Sequence, residues 1–467
     1  MPDTAGIDVG VASDGIVPSL DPVVTLLARE LAAGRDLPHA LACAERLHPE
    51  LVRCFDTSSP QRFGLHERHL FPDLAQAASV QMWNRATRDH VAFDVDADDW
   101  GALHDFIAGS CGGADAACRE LDELAELGAQ LIDAGILTEA APAPRVQAAR
   151  PGIYRLQHAC ALFRSRTTGV LLDPHLHGNF RDAAIDSDFS LAQLAHAVDA
   201  IAISHSHNDH WSLSTLLMFP RDIPIIVPAV PRGSILCPDF ADVLARFGFT
   251  RVIVRNWYDP PVEIGDLRVH VVPFHGEQPL RDEQPRDPAL YSWGNTYVIE
   301  TADYKAWCLV DTGTDDRGTM ARVAERVADR LGPIDIVLGN ITVFKPWSPL
   351  YILPGAHYWL ALTADQIARF SAMRDHDLTL GPGGVAEICK LAGATTYLPY
   401  ANWWGPIGGR GAVRPNAPAD TELQHLGVLQ HHLDAIGART RIVPWCIGDS
   451  VAQRRSGGLD HHSLELA

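Results

Sequence analysis

Between Ser204 and Ser212 the chain reads Ser-His-Ser-His-Asn-Asp-His-Trp-Ser and so gathers His205, His207, Asp209 and His210 into one short stretch. Imidazole nitrogens and carboxylate oxygens are the ligand types of zinc and of non-haem iron. Residues i and i+2 of an extended segment point the same way, so His205 and His207 suit one ion, and a turn after them directs Asp209 and His210 towards a second. Ala200-Ile201-Ala202-Ile203, just before, is apolar and reads as a buried strand, which places the cluster at a strand end. A solvated histidine-rich loop is the bland alternative. The spacing, with that strand in front, argues against it.

His-x-His-x-Asp-His after an apolar strand resembles the metallo-β-lactamase fold superfamily. The resemblance implies an α/β chain, a four-layer αββα sandwich with a dinuclear metal site, and it implies further ligands. Asp311, after the strand Trp307 to Val310, matches the aspartate that bridges the two ions. His357 is taken as the last histidine, because the later strand end Leu398-Pro399-Tyr400-Ala401-Asn402 has none. Asp173, closing Gly169-Val170-Leu171-Leu172, stands where relatives orient a metal-bound histidine, and His175 and His177 beside it are read as a supporting or pocket pair. One strand end offers two choices, His275 and Glu277. Hydrolases of the fold place a histidine there, whereas a glutamate resembles the diiron oxygenase subgroup, represented by the β-hydroxylase of chloramphenicol biosynthesis and the diterpenoid hydroxylase of platensimycin-type pathways. Those enzymes also carry an additional N-terminal domain.

The resemblance therefore implies a non-haem diiron monooxygenase of natural-product biosynthesis. Its substrate would be an aliphatic C–H, β to the carbonyl of an acyl thioester on coenzyme A or a carrier protein. His205, His207 and Glu277 would hold one iron, Asp209, His210 and His357 the other, and Asp311 would bridge; the reactivity of the pair would depend most on Glu277 and Asp311. O2 is the co-substrate. Two electrons would come from an external donor, because no flavin, nicotinamide or iron–sulfur motif is present. A carboxylate in place of an imidazole adds negative charge and oxygen character, which favours ferric iron over zinc. The alternative within the fold is a dinuclear zinc hydrolase of a lactone, thioester or phosphoester, with His275 as ligand and a bridging hydroxide as nucleophile. A different class is a binding or assembly protein that keeps a structural metal.

The 467 residues, 47% of them hydrophobic, are enough for two or three domains. A formal net charge of −20 argues against nucleic acid and against an anionic membrane surface as partner. The nine scattered cysteines include no Cys-x-x-Cys pair and read as core thiols of a reducing compartment. With no signal-peptide pattern and no apolar run of spanning length, the cytoplasm is the expected location. Residues 1–145 read as a mainly α-helical N-terminal domain after a disordered lead, with a Pro/Ala linker near its end. Residues 146–450 read as the metallo-β-lactamase-fold catalytic domain and 451–467 as a C-terminal tail. The N-terminal domain, amphipathic and acidic, has no evident chemical task. Homodimerisation or a cover over the substrate entrance is expected of it, and its removal is expected to spare the metal site. Trp211, Trp293, Phe344, Trp347, Tyr351, Trp403 and Trp404 are candidates to line a bulky apolar pocket.

Overall fold

Period-two alternation of apolar side chains builds two sheets around a shared core. The structure, a computed structural model, describes residues 5–12, 26, 30, 33–35, 37–47, 77–84, 87, 89–96, 98–112, 122–137, 150–156, 158–176, 197–207, 209–234, 237–278, 288–344, 377–401, 420–445, 448–454 and 458–462. The first part of the chain holds β1 (Ala5–Ala12), α1 (Leu37–Leu47), β2 (Ala77–Asn84), β3 (His90–Asp96), α2 (Trp100–Gly112) and α3 (Asp122–Asp133). Next come β4 (Gly152–Arg155), β5 (Ala161–Arg164), β6 (Gly169–Leu172), β7 (Ala200–Ala202), α4 (Leu213–Leu216), β8 (Ile225–Pro228), α5 (Phe240–Arg246) and β9 (Val252–Arg255). The second half holds β10 (Val262–Ile264), β11 (Leu267–Pro273), β12 (Asn295–Glu300), β13 (Lys305–Val310), β14 (Thr314–Asp315), β15 (Gly318–Thr319), α6 (Met320–Leu331) and β16 (Ile336–Gly339). It closes with α7 (Gly381–Leu391), β17 (Thr396–Pro399), α8 (Asp420–Ala435), β18 (Arg441–Ile442), β19 (Ser450–Arg454) and β20 (Gly458–His462).

An eight-stranded sheet runs β20-β19-β4-β5-β6-β7-β8-β9 and a seven-stranded one β10-β11-β12-β13-β16-β17-β18. Val170 and Leu172 of β6 face Ala306, Cys308 and Val310 of β13 in the core between the sheets. The intervening Leu171 turns to one outer core and Trp307 and Leu309 to the other, where α6, α7 and α8 pack. Three apolar layers between four structural layers give the expected αββα metallo-β-lactamase sandwich. β6 to β9 are mutually parallel, as are β13, β16, β17 and β18, so their carboxyl ends gather at one rim, the usual place for a site in such sheets.

Beside the helices expected in the N-terminal part stands a three-stranded antiparallel sheet, β1-β2-β3, that the sequence reading did not contain. Residues 5–12, read as a disordered lead, pair with 77–84 along their whole length. Small and acidic residues between Ile7, Val9 and Val11 masked the alternation, and the partner strand lies far along the chain. Residues 450–454 and 458–462, read mostly as a tail, form a hairpin that continues the larger sheet beyond β4. The linker near 145 falls outside the described residues. On either side of it, however, the cores are one: Val80, Met82, Leu103, Phe106, Leu131 and Ile136 share a cluster with Leu162, Leu171, Ile201 and Phe219. The N-terminal elements thus supply part of the sandwich's outer layer, which removes the physical basis for expecting them to be dispensable.

Candidate metal centre

Strand ends deliver every described residue of the predicted cluster. β7 runs into His205, which is pinned by an isolated bridge to Gly294. β11 ends before Glu277 and β13 before Asp311. The ladder between β13 and β16 slips between Cys308 and Val310, and Val310 takes φ 57°, so a bulge re-aims the chain just ahead of Asp311. Asp173 (φ 48°), Glu277 (φ 48°) and Ala401 (φ 53°) are likewise left-handed non-glycine residues at this rim. Such conformations cost roughly 1–3 kcal/mol each and concentrate where a site over-determines its backbone.

Two groups result. Glu277 Oε2 lies 3.1 Å from His205 Nε2 and 3.1 Å from His207 Nδ1. Asp311 Oδ2 lies 2.7 Å from His210 Nε2, and Asp209 Oδ2 stands 3.9 Å from the same nitrogen. His205, His210 and Asp311 offer ligand atoms that all lie within 4.8 Å of one another and link the two groups. Behind them, His210 Nδ1 donates to Asp173 Oδ2 (2.8 Å), which fixes the ring with Nε2 facing the cluster. Ser204 N and Oγ also donate to Asp173 (2.7 and 2.8 Å), as does the Tyr400 hydroxyl (3.1 Å). Asn340 Nδ2 donates to Asp311 Oδ1 at 2.6 Å and leaves Oδ2 to the cluster.

Glu277, not His275, joins the histidines. The sequence reading put both on one side of an extended chain, but Gly276 at φ 112° and Glu277 at φ 48° turn the backbone between them. A Cβ on Gly276 would stand 2.2 Å from Gly313 N, so the turn requires glycine. His275 instead faces Asp315, with Nδ1 3.0 Å from Oδ1.

On the Asp209 side, His158 Nε2 lies 3.2 Å from Asp209 Oδ2, and His158, Asp209 and His210 form a third convergent group. Sequence reasoning did not single out His158. An isolated histidine there carries no spacing signal, since it meets Asp209 only through the sheet. His357 and His177 lie outside the described residues; His175 is buried, and burial pushes its imidazole down to about 4 despite the nearby Asp209.

The donor set fits metal. His205 Nε2, His210 Nε2 and Asp209 Oδ1 are buried yet form no hydrogen bond among the described residues, although carboxylate oxygens stand at ion-pair distance from both nitrogens. Short approach without hydrogen-bond direction is what groups converging on a common ion show. Charge agrees. Burial opposes ionisation of Asp209, but His210, His158 and His207 hold it well below its usual value; likewise Glu277, despite burial, is held at about 2 by His207 and His205. Burial would lower His210, yet Asp209 and Asp311, with Asp173, hold it well above the ordinary imidazole value, a demand for positive charge that a cation would meet.

Of the proposed pocket aromatics, Trp211 packs on Phe240 (5.3 Å between ring centres) in the outer core and donates to Ser206 O, so it is a packing residue. Trp293 belongs to a cage around Arg317, and Phe344 donates its backbone N–H to Thr379. Trp347, Tyr351, Trp403 and Trp404 lie outside the described residues.

Comparison with known proteins agrees with this architecture. The family model of the β-lactamase superfamily domain matches residues 168–400. A curated relative from Streptomyces venezuelae, the 4-amino-L-phenylalanyl-[CmlP-peptidyl-carrier-protein] 3-hydroxylase, is 28% identical over 217 residues; the match spans 45% of this chain and 38% of that protein. The crystal structure of CmlA, a diiron β-hydroxylase from the same organism, superposes over 95% of this chain and 97% of its own with a TM-score of 0.54 at 16% identity. A variant of the CmlA β-hydroxylase gives 0.57 at 15% identity over 95% and 98%. No helix among the described residues is long and apolar enough to cross a membrane. Residues 168–400 belong to the β-lactamase superfamily, and the chain carries that fold in the form it takes in a diiron β-hydroxylase.

Proposed function

We propose that the protein is a non-haem diiron monooxygenase that hydroxylates an aliphatic C–H, β to the carbonyl of an acyl thioester carried on a carrier protein or on coenzyme A. The observation that carries the reading is the carboxylate of Glu277 beside His205 and His207, with His275 of the same strand end turned away. The similarity to a carrier-protein-dependent 3-hydroxylase supports it. His205, His207 and Glu277 would hold one iron, Asp209 and His210 the other with His357 or His158, and Asp311 would bridge. Bound iron would supply the reduction of O2, with one oxygen atom going to the substrate carbon and the other leaving as water after an external donor gives two electrons.

The protein's own part is orientation. Asp173 keeps Nε2 of His210 towards the cluster, Ser204 donates to Asp173 and meets His205 Nδ1 at 2.9 Å, and Asn340 fixes Asp311. Burial of all these groups keeps bulk water from the reacting centre.

The test is metal and redox analysis of protein purified without added metal. Iron close to two per chain is expected, with a transient absorbance band when the anaerobically reduced protein meets O2. Glu277→Ala should abolish iron loading, whereas His275→Ala should spare it. Two zinc ions without iron, with activity restored by zinc alone, would overturn the proposal in favour of a hydrolase.

A further inference from the structure

We infer that Asp315, held in place by Arg317, is a positioning residue that biases the centre towards iron by keeping His275 away from it. The inference rests on the diiron reading above. Two potential ligands end β11, one an imidazole and one a carboxylate, and only their placement decides which the ions meet. His275 is buried, its Nδ1 lies 3.0 Å from Asp315 Oδ1, and its Nε2 faces Gly318, where a Cβ would stand 2.6 Å from that nitrogen. Nδ1 is therefore engaged by Asp315, and Nε2 lies against Gly318.

Asp315 is built to hold that ring. Its side chain is fully enclosed and accepts from Arg317 N (2.8 Å), Gly318 N (3.1 Å) and Arg317 Nη2 (2.9 Å). It also accepts from Gly276 N at 3.3 Å, so the carboxylate that parks His275 shapes the turn presenting Glu277. The turn is tied on its far side by Glu277 N donating to Leu378 O and Gly313 N to His275 O.

Arg317 gives the carboxylate its orientation. Trp257, Tyr291 and Trp293 surround its guanidinium at 5.1, 5.0 and 4.8 Å from the ring centres. Its Nε and Nη1 are buried and form no hydrogen bond among the described residues, leaving Asp315 as its one ion-pair partner there. A guanidinium desolvated on three aromatic faces and bonded to one carboxylate is a rigid anchor. Without it, Asp315 loses its orientation, His275 is freed two residues from Glu277, and an imidazole competes for the ion. A nitrogen-richer set shifts preference from iron towards zinc.

The experiment loads metal-stripped wild type, Asp315→Asn, Asp315→Ala, Arg317→Met and the Asp315→Ala/His275→Ala double variant anaerobically with equal ferrous iron and zinc, then counts bound metals by mass spectrometry. Ratios are compared between chains, because zinc binds most nitrogen and oxygen sites more tightly than ferrous iron. The iron-to-zinc ratio should fall about tenfold or more in Asp315→Ala, the scale of outer-shell effects on metal sites. It should fall less in Arg317→Met and recover in the double variant, where the competing imidazole is gone. If Asp315→Ala does not melt cooperatively, the near-isosteric Asp315→Asn replaces it in the same comparison. An unchanged ratio in folded single variants, or a fall that removing His275 does not reverse, overturns the inference. Wild type that takes only zinc from cells supplied with both metals overturns instead the diiron reading beneath it.

Discussion

Asp173 accepts hydrogen bonds from Ser204 N, Ser204 Oγ, His210 Nδ1 and the Tyr400 hydroxyl without reaching solvent. An amide in its place must turn N–H groups towards one of those donors whichever way it flips. Asp173→Asn is therefore expected to cost roughly 1–3 kcal/mol of stability, as for a buried polar group left unsatisfied. It should also weaken metal affinity about 10–100-fold by releasing the His210 ring. Denaturant titration and a chelator competition assay read the two effects separately. Residues contiguous in the chain, His205 to His210, were legible before any fold was known, because their chemistry and spacing are local. His158, Asn340 and Asp315 were not, since each meets its partner (Asp209, Asp311 and His275 in turn) from a distant part of the chain. The choice between His275 and Glu277 needed the left-handed turn at Gly276, where the rule for extended chains stops applying.

Elements are held to one another by a few buried polar ties. His104 of α2 sits between two carbonyls, Nδ1 3.1 Å from Phe247 O and Nε2 2.8 Å from Phe219 O, and Trp100 meets Phe247 edge-on at 4.7 Å. Burial outweighs both hydrogen bonds and lowers the imidazole below its usual value. The unfolded chain therefore binds the proton first. The stability that neutral His104 contributes is full above the unfolded value of about 6.5 and is lost as pH falls below it towards the lower folded value. Thermal melts between pH 8 and 5 should show this loss, and His104→Gln should flatten that slope while lowering the melting temperature at pH 8. Trp307, fully enclosed on β13 with its Nε1 on Thr296, should cost about 3–5 kcal/mol as alanine, read by denaturant unfolding. Central strands of the sandwich such as β7 and β13 were legible because each is a short apolar run. β1 was not, since an antiparallel partner far along the chain is what makes it a strand.

At the scale of the molecule, one apolar cluster joins residues 80–137 to the outer face of the larger sheet. A chain of residues 146–467 would expose that face, and it is expected to aggregate or melt without cooperativity in calorimetry and size-exclusion chromatography. A monodisperse, cooperatively melting fragment with full metal content would restore the separable domain that the linker suggested. A second long-range closure has a consequence for synthesis. β4 is covered on its outer edge only when β19 arrives, and Arg155 reaches Trp445 O across 290 residues of sequence. A nascent chain emerges in order, so every side chain of the metal cluster described here leaves the ribosome while that edge is still bare, an open template for pairing with another chain. The proposed centre can therefore have its ligands before its sheet is finished, and any metal supplied during translation would meet a half-built sandwich whose closing hairpin has yet to cover that edge.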